Sequence, residues 1–205
     1  MIPFGPRGGD RRRQGPFGEG GASAVEAAIV TPIVMAMLFG IIEMGFLFKD
    51  YLAAAGAVRA GVRMASAMPR NATFAQAAAD QVAITGGAMS FKDVQELWIY
   101  KVEPACPTCA LSNKPVGFSS FSGCTTCVKF QWDTGLKKFV KTGTEDWAAG
   151  DQNACSTSTE RPDRIGVYIR LKHNAFTGLV FNTITISEAS IMSLEPISFF
   201  TACKP

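Results

Sequence analysis

The sequence predicts an α+β fold. A long N-terminal transmembrane helix continues into a small extracytoplasmic domain, which holds a second helix and an antiparallel β-sheet. Three observations predict it. Residues 27–48 are almost wholly apolar, with Glu43 as their only charge. Residues 52–68 are Ala-rich and hold few helix breakers before Pro69. Beyond residue 94 the chain changes to short segments rich in Val, Ile, Phe, Trp and Thr, separated by Gly, Ser, Asn and Asp.

The first 21 residues are rich in Gly, Pro and Arg and lack apolar periodicity, so they read as a leader with no fixed structure. Arg7, Arg11, Arg12 and Arg13 lie there against Asp10 and Glu19. The apolar run of 22 residues spans about 33 Å as a helix, enough for a bilayer core of about 30 Å. Lys49 and Asp50 cancel beyond it, while the arginines precede it. That asymmetry places the N-terminus in the cytoplasm and the C-terminal part outside. Ala65-Ser66-Ala67 has the form of a secretory cleavage site, but it lies too far beyond the run, with Arg59 and Arg63 between.

The helix is expected to continue through residues 52–68, with Arg59 and Arg63 on one face. Pro69 ends it. Asn71 is a candidate cap for a second helix over residues 72–85, stopped by Gly86-Gly87, with Phe74, Ala77, Ala78 and Val82 as its apolar stripe. Strands are expected at 94–102, 128–132, 136–141, 165–171 and 183–194. In the fourth, Ile165, Val167, Ile169 and Leu171 alternate with Gly166, Tyr168 and Arg170. Loops are expected at 105–123 and 143–163. The organisation is therefore 1–21 leader, 22–68 transmembrane helix and its extension, and 69–205 outer domain.

Composition narrows the function. A formal net charge of +3, concentrated in the leader, does not suggest a nucleic-acid partner. The one histidine, His173, removes most His-based catalysis, and it reads as a polar residue near a strand end. No HExxH, GxSxG or phosphate-loop pattern occurs. The reading is non-enzymatic, without a cofactor.

Glu26 stands at the start of the apolar helix, after Gly21-Ala22-Ser23-Ala24-Val25. A carboxylate there is favoured by the helix dipole. It also fits a chain cut after Gly21, since the new amine on Ala22 would neutralise it within the chain or in a neighbour. Pro32 removes one helix hydrogen bond inside the span, which is either tolerated or a source of flexibility. Glu43, near the outer boundary, is expected to snorkel to the surface or to pair with a neighbouring helix or partner.

This pattern resembles the class III signal of type IV pilin-like proteins, and more closely the TadE family of the tight-adherence pilus. The matching residues are Arg11-Arg12-Arg13, Gly21, Val25-Glu26, Ala28, Pro32, Gly40-Ile41-Ile42-Glu43-Met44-Gly45 and the Ala/Gly/Arg segment over residues 57–65. Ala27, where an aromatic residue is frequent, and the seven residues between Arg13 and Gly21 depart from the pattern. The resemblance implies a pilin-like minor subunit or assembly component in the inner membrane, with its leader removed by a prepilin peptidase. It also implies other pilus subunits and inner-membrane assembly proteins as partners, with Gly21, Ala22, Glu26, Pro32 and Glu43 acting in processing and assembly.

Six cysteines, Cys106, Cys109, Cys124, Cys127, Cys155 and Cys203, lie in the second half. Two CxxC pairs separated by 14 residues have the spacing of a zinc ribbon. An extracytoplasmic location favours disulfides instead. Bonds are then expected between the two CxxC pairs, and between Cys155 and Cys203. The alternative function is a membrane-anchored zinc-ribbon or thiol-redox module.

Overall fold

The computed structural model describes residues 20–102, 113–155, 161–178 and 181–197. The first helix, α1 (Gly20–Ser66), is 47 residues long and runs without interruption through Pro32. It is long and apolar enough to cross a membrane. A turn at Pro69 leads to α2 (Phe74–Thr85). Five strands follow: β1 (Val94–Lys101), β2 (Cys127–Asp133), β3 (Lys138–Thr142), β4 (Arg164–Asn174) and β5 (Thr183–Ser193). They form one antiparallel sheet in the order β3-β2-β1-β4-β5. The α+β class, the long apolar helix, the second helix and the sheet agree with the expectation.

The upper half of α1 packs because its small residues recur at helical spacing. Ala54, Ala57, Val58, Val62 and Ala65 are buried and form one stripe. They meet Ala75, Ala78, Ala79 and Val82 of α2. The helices approach so closely at Gly61 that a β-carbon there would stand 2.6 Å from Val82 Cγ2. Arg59 and Arg63 lie exposed on the opposite side. The Ala-rich composition is therefore an interface code: it lets a helix pair and a sheet share one thin core.

That core lies between the helices and one face of the sheet. Leu97, Ile99, Val128, Phe130, Ile165, Val167, Ile169 and Leu171 point into it. The other face is covered as well, which simple alternation along β4 does not announce. Trp98, Tyr100 and Tyr168 are buried there with Cys124 and Cys127. Phe121, from the β1–β2 connection, stacks on Tyr168 with ring centres 3.9 Å apart. Tyr100 donates its hydroxyl proton to the Asn113 carbonyl oxygen at 2.5 Å. Burial drives this phenol well above its ordinary pKa, so it stays a donor.

Gly166 makes this second layer possible. The Tyr100 ring lies against it where any β-carbon would stand. Gly166→Ala is therefore expected to destabilise the domain by about 1–3 kcal/mol through overpacking. Thermal melts of the two proteins would show it, and an unchanged melting temperature would mean the ring has room to move.

Some boundaries differ from the expectation. The second helix starts at Phe74, because Asn71 is not its cap. Asn71 Oδ1 accepts from the Thr73 backbone and hydroxyl, both at 2.8 Å, which turns the chain one step before the helix. Ala77 is half-buried, whereas Ala75 and Ala79 join Phe74, Ala78 and Val82 in the buried face. β3 begins at Lys138, after a turn in which Asp133 Oδ1 accepts from the Gly135 and Leu136 amides.

The 143–163 connection is packed along its first part. Trp147 and Gln152 are buried. Gln152 Oε1 accepts from the Arg70 backbone at 2.6 Å, and the Gln152 carbonyl accepts from the Arg70 guanidinium at 3.2 Å. The connection is thereby tied to the turn between the two helices.

Candidate functional site

Gly21, Glu26 and Pro32 lie exposed on a part of α1 that no other element covers among the described residues, and Ala22 belongs to the same stretch of helix. Gly20 and Gly21 are the first described residues of the helix. Among the described residues nothing lies within 4 Å of a would-be β-carbon at Gly21. Glu26 is exposed on the helix surface, and among the described residues no salt bridge involves it. Val25, Ile29, Val30, Ile33 and Val34 are exposed around it. In water such a surface would be a liability; it suits lipid or the flank of another apolar helix.

Glu43 marks a change of surroundings. Its residue is 1% exposed, so it does not snorkel. The connection between β4 and β5 folds over it. The Thr177 amide donates to Oε1 at 3.2 Å, the Gly178 amide donates to the same oxygen at 3.2 Å, and the Thr177 hydroxyl donates to Oε2 at 3.1 Å. A buried carboxylate needs several donors, and a turn supplies them here. The partner lies 134 residues along the same chain, which is why local sequence could not identify it.

Two turns further along α1, Asp50 Oδ2 lies 2.7 Å from His173 Nδ1. The carboxylate accepts, so Nδ1 carries the proton. The pair has the geometry of two members of a catalytic triad. However, His173 Nε2 is buried and has no hydrogen-bond partner among the described residues, so no hydroxyl is positioned for activation. Its evident effect is to tie the end of β4 to α1.

Cys124 and Cys127 are bonded to each other. This corrects the expectation of bonds between the CxxC pairs. The residues adjoin the start of β2, where the chain turns tightly enough to bring the two α-carbons within 6.0 Å. Cys155 is also disulfide-bonded, while Cys106, Cys109 and Cys203 lie outside the described residues. Among the described residues no group of His, Cys, Asp and Glu is arranged to hold a metal.

The covered and uncovered halves of α1 meet in one continuous segment, and that segment decides the relationship. A family model described as TadE-like protein matches residues 21–63.

The N-terminal segment is TadE-like.

The TadE-like match begins at Gly21, takes in Glu26, Pro32, Glu43 and Asp50, and ends at Arg63, on the helix that carries the core stripe. The α2 helix and the sheet lie beyond the TadE-like segment. No curated protein and no solved structure matches the chain.

Proposed function

We propose that this protein is a minor pilin-like subunit or assembly component of a bacterial tight-adherence (Flp-type) pilus, processed by a prepilin peptidase between Gly21 and Ala22. The observation that carries the proposal is the TadE-like match opening at Gly21. The uncovered surface of α1 supports it. Residues 22–42 number 21, about 31 Å of helix, and they end where Glu43 becomes buried. That length alone crosses a bilayer core. The bilayer segment therefore starts and ends some five residues earlier than residues 27–48. The leader, with its arginines, lies on the cytoplasmic side of the inner membrane, and the α+β domain lies outside.

In this reading Gly21 is the residue before the cut and Ala22 supplies the new amine. Glu26 then neutralises that amine, in the same chain or in the next, and so fixes the register between helices. Pro32 loosens the first part of the anchor. The partners are the peptidase, other pilus or pilin-like subunits, and inner-membrane assembly proteins. The chain is not itself an enzyme. The Cys124–Cys127 bond suits an oxidising compartment. It also consumes two of the four thiolates that a zinc ribbon would need.

Co-expression with a cognate prepilin peptidase tests the proposal. The intact mass should fall by that of residues 1–21, and Gly21→Val should abolish the change. Glu26→Gln should still be inserted and cut, while recovery of the assembled complex should fall at least tenfold. A wild-type protein that keeps its full mass beside an active peptidase would rule out the processing step.

A further inference from the structure

The β4–β5 connection has an unusual composition for a turn in water. Residues 175–182 read Ala-Phe-Thr-Gly-Leu-Val-Phe-Asn and carry no charge. Hairpin connections in water favour Gly, Asn, Asp, Ser and Pro. Phe176 is 80% exposed, yet it is not loosely placed. The Ala175 amide donates to the Asn182 carbonyl at 2.9 Å and closes the hairpin. Thr177 and Gly178 are held by Glu43. The Phe176 ring lies 6.5 Å from that of Phe46, itself exposed on α1. Lys49 stands beside them, its ammonium 5.8 Å from the Phe46 ring.

Depth along α1 identifies what covers this aromatic pair. The turn meets the helix at residues 43–46. At that level Phe46 beside the turn, and Met44 and Phe48 away from it, are all exposed. Apart from Glu43, which the turn covers, the helix is thus still apolar where the turn touches it, and the next charges are Lys49 and Asp50. A bilayer carries an interfacial layer of several ångströms beyond its core, where aromatic rings and snorkelling lysines collect. With α1 as a membrane anchor, Phe176 and Phe46 fall at the depth of that layer.

We propose that the β4–β5 turn is a second membrane contact, with Phe176 entering the outer-leaflet interface beside Phe46 and Lys49 reaching the lipid phosphates. The inference rests on the reading of α1 as a membrane anchor. Glu43 is then the residue that holds the turn at the lipid surface. The head is seated on the membrane at two points, the helix and the hairpin, rather than tethered by the helix alone.

The test uses the full-length protein in phosphatidylcholine–phosphatidylglycerol vesicles, with or without brominated acyl chains, which quench tryptophan on contact. Three variants are compared after subtraction of the native tryptophan emission: Phe176→Trp in the turn, Ile33→Trp within the anchor, and Ile84→Trp on the exposed end of α2. Quenching of the added emission by half or more at positions 176 and 33, but not at 84, is the expected result. Quenching at 33 alone overturns the hairpin contact and leaves the anchor standing. Quenching at neither overturns both. Emission at 176 that responds to protein density rather than to bromine means a second copy covers the turn, which also overturns the proposal. Should Phe176→Trp fail to fold, 4-fluorophenylalanine at position 176 preserves the ring's shape. Spin-labelled lipid should then broaden its fluorine signal, and an unbroadened signal overturns the contact.

Discussion

Trp147→Ala is expected to lower the stability of the outer domain by about 3–5 kcal/mol, the range for removing a large buried aromatic side chain. Trp147 lies in the long connection after β3, yet it is 2% exposed. Its ring meets the ring of Phe74, the first residue of α2, edge to face, with centres 5.7 Å apart. It belongs to the core shared by the helices and the sheet. Alanine would leave a cavity there and free the connection from α2. The fall in Tm should be on the order of 10–20 °C for a domain of this size. Trp147→Phe should do much less harm. The indole Nε1 is buried with no hydrogen-bond partner among the described residues, so part of what the ring contributes is offset by an unpaired donor. Circular dichroism melts in detergent compare the three proteins. Equal losses for alanine and phenylalanine would mean the indole nitrogen has a partner after all.

Glu43→Ala is expected to release the β4–β5 turn while the sheet stays folded. The carboxylate accepts from the Thr177 and Gly178 amides and from the Thr177 hydroxyl. Bonds to a charged acceptor contribute about 1.5–3 kcal/mol each when buried. Gly178 is exposed, so water can replace part of what is lost. A net loss of about 2–3 kcal/mol corresponds to exchange of the Thr177 and Gly178 amides on the order of 30–150 times faster. Amides of β1 and β4 should keep their protection, since their partners are unchanged. Glu43→Gln keeps an acceptor oxygen and should fall between the two. Hydrogen exchange resolved to single amides checks this, and unchanged rates at Thr177 and Gly178 would show that the turn holds itself.

The parts of the fold legible in the sequence were those whose signal is local. The helix from Gly20 to Ser66 follows from one unbroken apolar and Ala-rich stretch. The position of β4 follows from the period-2 run Ile165, Val167, Ile169, Leu171, all of which are buried. Gly21 and Glu26 stood out for the same reason, because their spacing lies within one short segment. What was not legible depends on residues far apart. Nothing near Tyr168 shows that Phe121 will stack on it. Nothing near Glu43 announces Thr177. The cysteine spacing allowed bonds within or between the CxxC pairs, and only the turn before β2 decides that Cys124 meets Cys127. The 143–163 connection looked like an open loop because its buried anchors, Trp147 and Gln152, are isolated among polar residues.

The turn over Glu43 also determines where the molecule can bend. From Glu43 to Ser66 the long helix is splinted by the head, through His173, the α2 interface and the sheet. No hinge is left at the junction, so head and upper helix move as one lever. Below Glu43 the helix has no such splint among the described residues. Pro32 there offers no amide to the carbonyl one turn back, and the neighbouring Thr31 hydroxyl donates to the Ala27 carbonyl at 2.6 Å, an arrangement that eases helix bending. A sideways force on the head is therefore taken up near Pro32, inside the apolar segment, and not where the head begins.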